Sequence, residues 1–207
     1  MNLPNKLTCL RMLLVPILVI ISYLPIEGFV SFIPIKNIIL LVIFCIASLT
    51  DYFDGNIARK NNLVTTFGKF LDPIADKLLV VASLLILVEM RMIPAWIVIL
   101  TEGRELLVAA SRMLQAKAGT VVAASWYGKV KTVSQMIAII FAFLCNTPLF
   151  AMLDTSGDIS FVDGTAGTVQ LTLNVLMSIG FCVAIIATII SGWDYIYKSK
   201  DLILESK

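Results

Sequence analysis

Residues 51–76 read Asp51-Tyr-Phe-Asp54-Gly55-Asn-Ile-Ala58-Arg59, then eight residues, then Gly68-Lys-Phe-Leu-Asp72-Pro-Ile-Ala-Asp76. On an α-helix, offsets of three, four and seven share a face, so Asp51, Asp54, Gly55 and Ala58 fall on one line. Gly68, Asp72 and Asp76 recur at four and form a second line. Four carboxylates on two facing stripes repel one another unless cations lie between them. The spacing therefore predicts a divalent-metal site held by Asp51, Asp54, Asp72 and Asp76. Hard oxygen ligands with no His or Cys nearby favour Mg²⁺ or Mn²⁺ over Zn²⁺.

The chain around this stretch is too apolar for a water-soluble domain. Of its 207 residues 59% are hydrophobic and only 14% charged, with a mean hydropathy of +0.95. Soluble domains are about half apolar and a quarter charged, so a polytopic membrane protein is expected. A net charge of +2 points to no nucleic acid. The four cysteines show neither a paired motif nor ligand spacing and read as small hydrophobes. The sequence has no histidine, which excludes imidazole acid–base chemistry and leaves carboxylates as the obvious catalytic groups.

Apolar runs of spanning length occupy about 12–24, 36–56, 73–90, 94–114, 131–150 and 170–195. Each is long enough for a hydrocarbon core of roughly 30 Å. No small-x-small cleavage site follows the first run, so it is expected to stay as a span. The expected architecture is all-α: one membrane domain over 1–207, a bundle of six transmembrane helices. With the N-terminus inside, 14 Lys and Arg residues fall at cytoplasmic ends and only Lys36 and Arg91 outside. That bias predicts a multi-pass cell-membrane protein with both termini and the acidic stretch in the cytoplasm. Trp96, Trp126, Trp193, Tyr195 and Tyr197 fall near span ends, as interfacial anchors do. An ordinary charged loop does not explain carboxylates woven into apolar helical registers, and ionisable residues at membrane depth are costly and functional by default. Asp72-Pro73 reads in two ways. Asp72 either caps a helix with proline at its first position, or lies in a helix that already runs from about Val64 and is kinked at Pro73.

The pattern D-x-x-D-G-x-x-A-R-x8-G-x-x-x-D-x-x-x-D resembles the signature of the CDP-alcohol phosphotransferases, integral membrane enzymes of phospholipid synthesis. All eight fixed positions are present over about an eighth of the chain. The resemblance implies attack of an alcohol on the β-phosphorus of a CDP-linked lipid, with release of CMP, and a homodimer. It implies two metal ions held by Asp51, Asp54, Asp72 and Asp76, with Asp76 as general base. Gly55 and Ala58 would leave room for the nucleotide, although close packing of small residues in a membrane accounts for them too. Arg59 would fork onto the diphosphate. Thr65 and Gly68 hold further family positions on the CDP-lipid side. Asn5 and Thr8 match the family's N-terminal N-x-x-T-x-x-R segment, and helix capping is their ordinary alternative.

The acceptor is read elsewhere. Arg104, Arg112, Lys129 and Lys131 gather at the inner ends of spans four and five. Glu102-Gly-Arg104-Glu105 and Gly128-Lys129-Val-Lys131-Thr132, with Gln135, resemble stretches of the family's bacterial phosphatidylglycerophosphate synthases. That likeness implies CDP-diacylglycerol as donor and glycerol 3-phosphate as acceptor, its phosphate held by the basic cluster. The positive-inside bias alone would explain some of these cations, Arg104 least. Within the family, an inositol-phosphate or phosphatidylglycerol acceptor is the nearest alternative. An intramembrane prenyltransferase would carry two separated Asp-rich motifs on a longer bundle. A metal transporter would carry mid-span acidic residues on several helices and an inverted repeat. An EF-hand over Asp51–Asn62 fails because its twelfth position is Asn62 rather than Glu.

Overall fold

Each apolar run becomes a helix in the computed structural model. The structure describes the backbone of residues 3–60, 66–117, 126–151 and 165–205, and side chains over 7–50, 71, 74–113, 126–151 and 165–197. In chain order α1 (Leu3–Tyr23) leads through a two-residue hairpin, β1 (Phe29–Val30) and β2 (Ile33–Pro34), into α2 (Ile35–Lys60). Then follow α3 (Thr66–Glu89), α4 (Ala95–Lys117), α5 (Trp126–Leu144) and α6 (Thr165–Glu205). The ladder pairs Phe29 with Pro34 and Val30 with Ile33, a small addition to the all-α expectation. Gly28 enters it at φ 114°, where a β-carbon would also lie 2.8 Å from Ile35 Cδ1. Only glycine meets both conditions there.

α1 packs on α2 and α3, α5 and α4 pack on α6, and α2 meets α5 to join the two groups. The core between them is built from Leu18, Leu40, Phe44, Leu79, Leu87, Ile97, Ile139, Phe143, Met177 and Phe181. Phe44 and Phe143 meet at 6.3 Å between ring centres, tilted by 55°, a favourable edge-to-face-like geometry. Three buried hydroxyls bond within their own helices: Ser83 donates to the Leu79 carbonyl, Thr101 to Ile97 and Thr188 to Ala184. At one end of the bundle the turns are tied together. The Leu149 amide donates to the Met92 carbonyl at 2.7 Å, and Asn174 Nδ2 donates to Thr147 Oγ1 and the Pro148 carbonyl.

The outside is as apolar as the inside. Leu13, Ile20, Ile46, Leu85, Ile99, Leu106, Ile137, Ile179 and Ile186 are all exposed, so every helix presents bulky hydrocarbon outward. Water-soluble proteins avoid contiguous patches of that size. Among the described residues, α5 and the 165–197 part of α6 are long and apolar enough to cross a membrane by themselves. α6 has 41 residues and so extends about 60 Å, twice a hydrocarbon core.

Two open alternatives close here, and one expectation changes. α3 begins at Thr66 and passes through Pro73, so Asp72 lies inside a helix and does not cap one. α1 begins at Leu3, which places Thr8 within the helix rather than at a cap. Tyr195 is also no interfacial anchor, being 2% exposed, whereas Trp193 and Tyr197 are exposed. All four cysteines are free thiols.

Candidate active site

Asp51 and Asp54 lie three apart in the last turns of α2, Asp72 and Asp76 four apart in α3, and the two helices touch. The side chains of Asp51, Asp54 and Asp72 lie outside the described residues, as do those of Asn5, Gly55, Ala58, Arg59 and Gly68, and Thr65 altogether. Among the described residues no group of three or more carboxylates and thiols stands ready for a metal. The donor set still fits a hard divalent cation. It offers four carboxylates on two adjoining helices, with no imidazole in the chain.

Asp76, the last carboxylate of the motif, opens onto a cavity of about 70 Å³ that gathers several charged side chains. Its walls are Asp76, Lys77 and Val80 from α3, Glu102 and Glu105 from α4, and Lys131, Thr132, Gln135 and Met136 from α5. By the usual allowance per water molecule this space has room for a small polar molecule. The larger hollows elsewhere carry mostly apolar linings, such as that of Trp126, Lys129, Val130, Val133, Ser134 and Ile137.

The cavity's charge is organised by Glu105. One of its carboxylate oxygens accepts from Arg104 Nη1 at 2.8 Å and from Lys131 Nζ at 3.1 Å. Arg104 and Lys131 are both buried, so the triad holds one net positive charge away from water. Asp76, Lys77 and Glu102 on the same walls bring the lining with Arg104 to a formal balance, so the site offers an anion the buried Lys131 ammonium rather than a net surplus of charge. Arg104 is further fixed by its Nη2 donating to Ser191 Oγ and by its place over the Tyr195 ring, 5.7 Å from the centroid. α6 passes close by at Gly192, where a β-carbon would make ordinary contact with Arg104 Cγ at 3.6 Å. Arg112 lies two turns further along α4. It donates to Tyr195 Oη at 2.8 Å and lies 5.6 Å from the same ring centre.

The four cations of the expected acceptor cluster are thus sorted. Lys131 lines the cavity; Arg104 stands behind it, joined through Glu105; Arg112 is linked to Arg104 through Tyr195. Lys129 is exposed and lines the apolar hollow on another side of α5. Two residues apart on a helix means about 200° of rotation, which explains the separation of Lys129 from Lys131. Thr8 is buried in α1, and so is Arg11, the arginine of the N-terminal N-x-x-T-x-x-R segment. Ser191 and Tyr195 were not singled out for the site, because only the packing of α6 against α4 brings them to Arg104.

The geometry has relatives. The chain matches the CDP-alcohol phosphatidyltransferase family over residues 1–190, and it belongs to that family. It is therefore a transferase of the membrane-associated, divalent-metal-dependent kind. A CDP-diacylglycerol–glycerol-3-phosphate 3-phosphatidyltransferase of Bacillus subtilis (strain 168) is 41% identical over 203 residues, spanning 96% of this chain and 95% of the relative. Proteins of the same name from Haemophilus influenzae and Escherichia coli K12 are 43% and 41% identical over 67% of this chain. Those matches span 73% and 74% of the relatives.

Proposed function

We propose that the chain transfers the phosphatidyl group of CDP-diacylglycerol to glycerol 3-phosphate, yielding phosphatidylglycerophosphate and CMP. The observation that carries this reading is the cavity that joins Asp76, the end of the metal motif, to the buried Lys131. An acceptor with a hydroxyl at one end and a phosphate at the other matches that pair. The relatives named for this reaction support the same substrates.

In this reading Asp51, Asp54, Asp72 and Asp76 hold two divalent cations, Mg²⁺ or Mn²⁺. When bound, these neutralise the diphosphate and stabilise the departing CMP. Asn5, Thr8, Gly55, Ala58, Arg59, Thr65 and Gly68 form the CDP-lipid side, Arg59 pairing with phosphate oxygens through its fork. Lys131 binds the acceptor phosphate, with Arg104 and Arg112 supporting it. Asp76 takes the proton of the attacking terminal hydroxyl as its oxygen bonds to the β-phosphorus and the bond to the CMP oxygen breaks.

The wider arrangement belongs to the same proposal. Six spans sit in the cell membrane with both termini and the site on the cytoplasmic side, and two copies form a homodimer. The outward-facing hydrocarbon on all six helices and the 14-to-2 split of basic residues support the spans and their orientation. The homodimer rests on the family resemblance.

The test is product identification with purified protein in mixed micelles of CDP-diacylglycerol. With Mg²⁺ and glycerol 3-phosphate, a lipid phosphomonoester should accumulate in step with CMP. Chelation by EDTA, or Asp51→Asn, Asp54→Asn or Asp72→Asn, should abolish both, and added Mg²⁺ should restore the chelated enzyme. CMP formed at the full rate in EDTA would remove the metal account. A different lipid product would reassign the acceptor.

A further inference from the structure

One polar group on the cavity wall carries an unmade hydrogen bond. Gln135 lines the cavity and is only 2% exposed, yet its Nε2 is buried with no hydrogen-bond partner among the described residues. A buried amide donor left unmade is costly, and such groups are retained where a ligand completes them. Gln135 follows Lys131 by four positions on α5, so both lie on one face, about 6 Å apart along the axis.

We infer that Gln135 recognises the secondary hydroxyl of the acceptor and makes the enzyme selective for a polyol phosphate over a simple hydroxyalkyl phosphate. The inference rests on the acceptor reading above and adds a residue to it. A three-carbon polyol monophosphate carries three polar groups. Its phosphate pairs with Lys131, and its attacking terminal hydroxyl meets Asp76. The hydroxyl between them can accept from an amide donor, and Gln135 offers one on the cavity wall that has no partner among the described residues. Its Nε2–H donates to the hydroxyl oxygen. A cavity built to hydrogen-bond a hydroxyl rejects the analogue that lacks it, because the protein's own donor is then left unpaired.

The experiment compares glycerol 3-phosphate with 3-hydroxypropyl phosphate, which lacks only the secondary hydroxyl, by CMP release. Wild type should prefer glycerol 3-phosphate by about ten- to a hundredfold in kcat/KM. Gln135→Met keeps length and removes the donor. It should lower kcat/KM for glycerol 3-phosphate by about that factor and bring the two acceptors within about threefold, with KM for CDP-diacylglycerol unchanged. If that variant does not fold, Gln135→Asn, which withdraws the amide by one methylene, should show the same collapse of the ratio. Equal use of both acceptors by wild type, or a ratio preserved in a folded variant, would overturn the inference while leaving the transferase intact. No CMP release from wild type with glycerol 3-phosphate would overturn the acceptor reading and this inference together.

Discussion

At the scale of single residues, the site depends on Glu105, which serves two buried cations with one oxygen. Glu105→Gln keeps its shape and removes the counter-charge, leaving Arg104 and Lys131 as like charges in a poorly hydrated place. Breaking a buried pair costs roughly 3–5 kcal/mol, and partial exposure of Glu105 brings the expected loss to about 2 kcal/mol. Thermal unfolding in detergent should show it as a fall in Tm of about 4–8 °C. An unchanged Tm would mean that the triad contributes nothing to the fold. Much at this scale was legible in the sequence. Lys131 and Gln135 stand four apart, and Asp76 closes a spaced motif. The partition of Lys129 from Lys131 was not recognised, because a basic run looks uniform until α5 is given a rotational setting. The same holds for Tyr195, which sits in an aromatic cluster typical of membrane interfaces but turns inward between two arginines.

At the scale of elements, α5 carries the acceptor wall and α6 sets its position. They come close at Gly180, where a β-carbon would lie 2.9 Å from Ala138 Cβ and 3.3 Å from its Cα. Backbone on the far side cannot yield as a flexible side chain would, so a larger residue pushes the helices apart. Gly180→Val should lower Tm by several degrees and raise KM for glycerol 3-phosphate, since Lys131 and Gln135 move with α5. Wild-type values of both would show that this contact does not set the cavity. The six apolar runs each matched a helix because hydropathy records the buried and lipid-facing middle of a span. The helix ends were less legible. α3 starts seven residues before its apolar run, through Gly68, Asp72 and Pro73. α6 continues through Lys198, Lys200 and Asp201. Polar residues end a hydropathy signal without ending a helix, and α3 stays helical through Pro73 although that residue supplies no amide hydrogen.

At the scale of the whole molecule, the proposal separates two substrates over different parts of one bundle, with the metal motif between them. Orientation is one part of it. In a variant lacking its native cysteines, Glu27→Cys in the α1–α2 connection should react with an impermeant maleimide from outside cells, and Asn62→Cys only after permeabilisation. Labelling of position 62 from outside would place the motif in the wrong compartment. The division of the site is the central claim, and steady-state kinetics of three variants test it most directly. Lys131→Ala removes one charge-assisted contact, worth about 1.5–3 kcal/mol. It should raise KM for glycerol 3-phosphate about ten- to a hundredfold while KM for CDP-diacylglycerol stays within twofold. Arg59→Ala should do the reverse, and Lys129→Ala should change neither. If Lys131→Ala instead weakened CDP-diacylglycerol and left glycerol 3-phosphate untouched, the cavity between α3, α4 and α5 would not be the acceptor site.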